Sequence, residues 1–123
     1  MSYAASMNAD EFKNRTKAFA MRVIQLVEAF PQNQTAKVIG NQLLRCGTSV
    51  GANYRAACRA KSPADFIAKM TIVEEECDES ICWMELIVEA GLMDKKRLIE
   101  LKNEAIEIFS MVVASIKTAR SRK

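Results

Sequence analysis

Four apolar stripes recur along this chain at a spacing near 3.6 residues, with only short polar breaks between them. In a chain of 123 residues that pattern leaves little besides helices packed on helices. The first stripe, Phe12, Phe19, Val23, Leu26 and Phe30, predicts a helix over about 9–30. Asn8 and Glu11 form a capping pair at its start, and Pro31 with the polar run Gln32-Asn33-Gln34 stops it. Thr35 opens a second helix over about 35–60. Ser62 as cap, Pro63 at the first helical position and Asp65 in the first turn open a third over about 63–90, and Gly91 supplies a left-handed stop. Asp94 caps a fourth over about 94–119, with Leu98, Leu101, Ala105, Ile108, Val112 and Ile116 on one face. Lys117, Arg120, Arg122 and Lys123 suit the dipole at its C-terminal end, and fraying is expected beyond Ala119. The β signal is weak. The expected architecture is all-α: one domain over residues 1–123, an antiparallel up-down-up-down four-helix bundle.

The second helix carries an anomaly. Arg45 to Asp65 reads RCGTSVGANYRAACRAKSPAD, with two glycines where a helix interior is expected. Each glycine costs ~1 kcal/mol relative to alanine there. Gly47 and Gly51 share a side with Leu43, Val50 and Tyr54, which predicts close packing inside the bundle. Thr48 and Ser49 can bond back to carbonyls four residues earlier. Two readings of the polar residues stay open. Arg45, Thr48, Ser49 and Asn53 fix helix register or subunit contacts, with Glu75 or Glu79 as partners for Arg45; alternatively Arg45, Arg55, Arg59 and Lys61 form a strip facing phosphates.

The composition narrows the chemistry. There is no histidine, so Ser–His and Cys–His nucleophile pairs are ruled out and the commonest general base is missing. No Gly-rich phosphate loop is present. The chain is expected not to be an enzyme, with no catalytic residues. Cys46, Cys58, Cys77 and Cys82 include no Cys-x-x-Cys pair, so they read as small buried thiols, with no metal or cofactor expected. No apolar run approaches the roughly 20 residues needed to span a bilayer, and MSYAASMNADEF lacks a basic segment followed by an apolar one. A cytoplasmic location without membrane association is the default expectation.

The third helix has more apolar surface than one core requires. Phe66, Met70, Val73, Cys77, Ile81, Met84 and Val88 form a stripe for the core, while Ile72, Trp83, Leu86 and Ala90 gather opposite. Ile106, Phe109 and Val113 likewise widen the stripe of the last helix. A second apolar patch holding the single tryptophan marks a subunit interface. Charge is segregated too. Residues 1–62 hold nine basic side chains, Lys13, Arg15, Lys17, Arg22, Lys37, Arg45, Arg55, Arg59 and Lys61, against three acids. The third helix reverses the sign with Asp65, Glu74, Glu75, Glu76, Asp78, Glu79, Glu85 and Glu89 against Lys69. Either neighbouring helices pair within one chain, or the basic flank of one subunit meets the acidic flank of the next. A net charge of +3 is low for a nucleic-acid binder, so any binding surface has to be local. Lys13, Arg15, Lys17, Arg22, Arg45, Arg55, Arg59 and Lys61 are its candidate residues.

QLLRCGTSVGANYRAACRAKSPADFIAKM from Gln42 to Met70 and CDESICWMELIVEAG from Cys77 to Gly91 carry a resemblance. ELKNEAIEIFSMVVASIKT in the last helix matches more loosely. The chain resembles the small four-helix-bundle proteins encoded in intervening sequences of bacterial 23S ribosomal RNA genes. More distantly it is similar to the accessory variability determinant proteins of diversity-generating retroelements. The resemblance implies a homopentameric ring with a central channel, no known enzymatic activity, and nucleic-acid binding through a basic surface. The retroelement relatives imply a further partner, a reverse transcriptase. Relatives often carry Glu where this chain has Ala56, so a carboxylate able to pair with a nearby arginine is absent. The alternative function is a protein-binding assembly scaffold with no nucleic-acid role.

Overall fold

The structure, a computed structural model, describes residues 8–122; the N-terminal leader reading and Lys123 fall outside them. Among the described residues there are four α-helices and no strands: α1 (Ala9–Glu28), α2 (Gln34–Ala57), α3 (Pro63–Glu89) and α4 (Lys95–Ser121). The start of α1 is capped as expected, with Asn8 Oδ1 accepting the Glu11 N–H at 2.8 Å and the Asn8 amide meeting the Glu11 carboxylate. The helix ends two residues before the expected Phe30. Ala29 and Phe30 donate to Leu26 and Val27, a tightened last turn ahead of Pro31, which disfavours helical backbone in the residue before it. The cap of α2 is Asn33 rather than Thr35: its Oδ1 accepts the Ala36 N–H at 2.8 Å, and asparagine caps at least as well as threonine. The second helix closes at Ala57, earlier than expected, through similar short bonds from Arg59 and Ala60.

The stop after α3 follows the expected logic. Gly91 takes a φ of +71°, and the N–H groups of Gly91 and Leu92 bond back to Val88 and Ile87. That pair of bonds is the Schellman arrangement, which favours glycine at the left-handed position. Asp94 precedes α4 but makes no side-chain cap bond. The last helix continues two residues past the expected Ala119, because Ala119 is itself buried in the core and holds that turn down.

The core sits on a tighter repeat than an ideal helix. Buried positions on α3 are Phe66, Met70, Val73, Cys77, Ser80, Met84 and Ile87, in alternating steps of four and three. The same alternation runs through Phe12, Thr16, Phe19, Val23 and Leu26 on α1. It recurs from Ala36 through Gly47 to Ala57 on α2, and from Leu98 through Ile108 to Ala119 on α4. A period of 3.5 is that of helices supercoiled about one another. This corrects the expected α3 stripe. Ser80 and Ile87 are buried where Ile81 and Val88 were expected, and the latter two are only half-buried. An ideal helix drifts by roughly 20° per heptad from a 3.5-residue seam, so a straight projection slips off it toward the C-terminus. Ser80 is tolerated because its hydroxyl donates to the Glu76 carbonyl at 2.9 Å and meets Cys46 Sγ at 3.3 Å.

Helix contacts follow chain order: α1 on α2, α2 on α3, α3 on α4, with α4 and α1 approaching least. Glycines set the α1/α2 spacing. A Cβ on Gly47 would stand 3.0 Å from both methyls of Val23, and one on Gly51 would stand 3.0 Å from Thr16 Oγ1. The close packing expected of this pair is what the tertiary structure uses. Two of the four thiols depart from the expected burial: Cys46 and Cys77 are buried, Cys58 and Cys82 are exposed, and none is bonded to another.

Two outcomes follow from this packing. Gly47→Ala should destabilise by about 1 kcal/mol, because overpacking of about 1–3 kcal/mol exceeds the helix-propensity gain. In chemical denaturation, Val23→Ala combined with Gly47→Ala should cost less than the sum of the two, since the clashing methyls are gone. Burial pushes the Cys77 thiol up to about 12, and burial also raises Cys46. Alkylation of the native protein followed by mass spectrometry should therefore mark Cys58 and Cys82, with Cys46 and Cys77 marked only after unfolding.

Candidate functional site

The basic candidates do not form one surface; the helix packing sorts them. Because Gly51 lies on Thr16, the outer sides of α1 and α2 meet there in a shallow groove of about 400 Å³. Lys13, Asn14 and Lys17 line it from α1, and Thr48, Ala52 and Arg55 from α2. No acidic residue lines this groove. Lys13, Lys17 and Arg55 make no ion pair among the described residues. Lys13 and Lys17 are one helical turn apart, so both project on the same side of α1. The hydroxyl of Thr48 donates back to the Leu44 carbonyl at 2.6 Å.

Other candidates lie elsewhere. Arg15 turns away toward α4, where Nε and Nη2 donate to Glu104 at 2.7 and 2.8 Å, Nη2 reaches Glu107 at 2.9 Å, and Nη1 meets Met111 Sδ at 3.3 Å. Hydrogen bonding to Glu104 raises its already high pKa. This fork clamps the seam where α1 and α4 approach least. Arg22 lines a depression of about 220 Å³ between the same two helices, beside Arg97 and Glu100. Arg59 and Lys61 are exposed in the α2–α3 connection, where the Lys61 backbone N–H donates to Asp65 at 3.1 Å. Asp65 also takes the Lys69 ammonium at 2.7 Å, and these contacts, Lys69 foremost, lower its pKa.

Arg45 is engaged within its own chain. It bridges to Glu76 at 2.9 Å and to Glu79, and the second oxygen of that bridge, Glu79 Oε2, also accepts the Trp83 indole N–H at 3.1 Å. Glu79 matches one of the partners expected for Arg45; Glu76 takes the place of Glu75. Residues 76, 79 and 83 follow the 3.5-residue seam one position before the core, on the side of α3 that faces α2, whereas Glu75 is turned outward. Along that same line Ile72, Leu86 and Ala90 are exposed, and Trp83 is half-buried against the core. The four apolar interface candidates are therefore collinear on one flank of α3, interrupted by the Arg45–Glu76–Glu79 network.

Several contributors were not legible beforehand. Thr16 supports the groove floor but carries no local signal of it, and Glu104 and Glu107 become partners of Arg15 only through the α1/α4 contact. Among the described residues no group of three His, Cys, Asp or Glu side chains is placed to hold a metal ion. No helix among them is long and apolar enough to cross a membrane.

Residues 10–114 match the family of 23S rRNA-intervening sequence proteins. A crystal structure of a protein of unknown function from the S23 ribosomal protein family of Bacteroides thetaiotaomicron is similar, with a TM-score of 0.83 and 33% identity. The similarity covers 90% of this chain and 99% of that one. No curated protein matches the chain.

The Glu79 network has a pH signature. The Trp83 indole N–H, followed by Arg45, holds the Glu79 carboxyl below its ordinary value. A depressed folded value means that the network's contribution is complete above the ordinary glutamate range and is lost as pH falls through the depressed value. Trp83 is the single tryptophan, so its fluorescence reports this step directly. Emission should be constant above about pH 5 and change only below the normal glutamate range, and Glu79→Gln should remove the transition. A midpoint at or above the ordinary glutamate value would contradict the assignment.

Proposed function

For a chain that belongs to the 23S rRNA-intervening sequence protein family, we propose a non-enzymatic, homo-oligomeric bundle whose basic α1/α2 face binds nucleic acid. The observation that carries this reading is the α1/α2 groove, where Lys13, Lys17 and Arg55 meet with no acid in the lining. Phosphates are the ligands such a groove suits. The two lysines of α1 and Arg55 of α2 can follow a backbone, and no carboxylate in the lining repels it. No aromatic side chain lines the groove for bases to stack on, and its cations suit phosphates, so affinity should be weakly sequence-specific.

The helices are read as running up-down-up-down. Gly40 lies against Val27 and Gly51 against Thr16, so the chain direction reverses from α1 to α2. Cys77 contacts the Ala105 carbonyl, while Val88 shares a groove with Lys95, which is consistent with reversal from α3 to α4. Arg15 reaches Glu104 and Met111, whereas Arg22 lies beside Arg97. In this arrangement Arg55, Arg59, Lys61, Lys117 and Arg120 collect at the end of the bundle where α1 begins. A net charge of only +3 makes one copy a weak binder. A ring, pentameric as the family resemblance implies, would repeat the face and gain avidity.

Gel-shift titrations with RNA and with DNA over a salt series test this. Binding should weaken steeply with salt, and Lys13→Gln, Lys17→Gln and Arg55→Gln should each reduce the log–log slope by roughly 0.7–0.9. No retention of either nucleic acid at low salt, with retention of a polyglutamate probe instead, would reject this reading in favour of an acidic protein partner.

A further inference from the structure

We propose a binding site for a small oxyanion, a carboxylate or a phosphate group, between α1 and α4 at Arg22 and Arg97. The flanks that meet along this seam repeat every seven residues. On α1, Arg15 and Arg22 each stand one position before a core residue, Thr16 and Val23. On α4, Arg97 and Glu100 precede the core residues Leu98 and Leu101, just as Glu104 and Glu107 precede Ala105 and Ile108. Arg15 reaches Glu104 and Glu107, and Arg22 lies beside Arg97 and Glu100. One heptad forward on α1 therefore matches one heptad back on α4. Arg22 corresponds to Arg15, and Arg97 and Glu100 correspond to Glu104 and Glu107.

The two levels differ in chemistry at a single acid. Around Arg15 one cation faces two acids, and Glu104 takes Nε and Nη2 at 2.7 and 2.8 Å, the two-point fork that suits a guanidinium and a carboxylate. Around Arg22 two cations face one acid, because Arg97 stands where the other level has Glu104. Neither Arg22 nor Arg97 makes an ion pair among the described residues. With Gln25 and Glu100 they line a depression of about 220 Å³, together with the core residues Leu26 and Leu101. An oxyanion entering there gives the two guanidiniums the acceptor that Glu104 supplies one heptad away. Two arginines against Glu100 leave one positive charge over, which favours a singly charged group. Arg22 and Arg97 are exposed, so solvent and salt screen the contact and the affinity should be modest. The site lies on the α4 side of α1, apart from the α1/α2 groove, and does not depend on nucleic acid binding in that groove.

Acetate and inorganic phosphate are the probes, each titrated against chloride at equal ionic strength while the arginine Nε–H resonances are followed by NMR. Those of Arg22 and Arg97 should shift saturably with at least one probe, and that of Arg15, already held by Glu104, should stay in place. A response to acetate alone identifies a carboxylate as the group bound, and a response to phosphate alone a phosphate. In Arg22→Gln the Arg97 shift should be lost. No saturable shift with either probe, or an Arg97 shift unchanged in Arg22→Gln, overturns the site. Arg97→Glu offers a second test, because it puts at position 97 the acid that Arg15 has at 104. In urea denaturation it should raise the midpoint more in the wild-type background than in Arg22→Gln, and it should abolish the response of Arg22 to both probes. Residue 97 is the third of α4, so a glutamate there also gains from the helix N-terminus, equally in both backgrounds. Equal gains in the two backgrounds would show that Arg22 does not face position 97, and would overturn the proposal.

Discussion

The 3.5-residue seam shared by all four helices is the constraint on which the rest of this structure depends. Once Phe66, Met70, Val73, Cys77, Ser80, Met84 and Ile87 face inward on α3, every other position on that helix has its neighbour assigned. Positions one before the seam face α2, which is how Glu76 and Glu79 come to hold Arg45. Positions one after it face α4, where Glu85 meets Lys102 at 3.1 Å. The same bookkeeping on α4 sends Glu104, Glu107 and Met111 toward Arg15 of α1. A helix packed at the ideal 3.6 would rotate its flanks past these partners within a few turns.

The seam is closed unevenly. Between α1 and α2 it is tightened by Gly40, Gly47 and Gly51, each with its would-be Cβ in contact with an α1 side chain or its C-terminal extension. Between α1 and α4 contact is sparse and a single arginine fork bridges the gap. The tight α1/α2 contact has a second consequence. It brings Lys13 and Lys17 beside Arg55 and makes a local concentration of positive charge in a molecule whose net charge is small. Cations that lack an ion-pair partner among the described residues remain available to a polyanion, whereas Arg15 and Arg45 are already engaged.

Helix number, the caps at Asn8 and Ser62 and the left-handed stop at Gly91 were legible in the sequence, because each depends on residues within a turn or two of one another. Boundaries slipped where two local signals competed, as at Asn33 against Thr35. The apolar flank of Ile72, Trp83, Leu86 and Ala90 was also visible as a pattern, since helical spacing alone sets which residues share a line. Its interruption by a charged network was visible only in part: Glu79 was among the partners expected for Arg45, but Glu76 in place of Glu75 depended on which side of α3 faces α2. The basic residues were the least legible. Eight candidates looked alike in the sequence, yet three line one groove and two are bound to carboxylates on other helices.

By itself, then, the sequence determined that this chain forms four helices, where glycine would permit close approach, and which sides are apolar or charged. Those properties follow from short-range sterics, capping and periodicity, which operate between near neighbours in the chain. Only the tertiary structure decided the seam's true period, the burial of Ser80 and Ile87, and the sorting of cations into paired and unpaired. Those outcomes depend on the rotation of each helix against the next, and that rotation is set by many side chains meshing at once across the core.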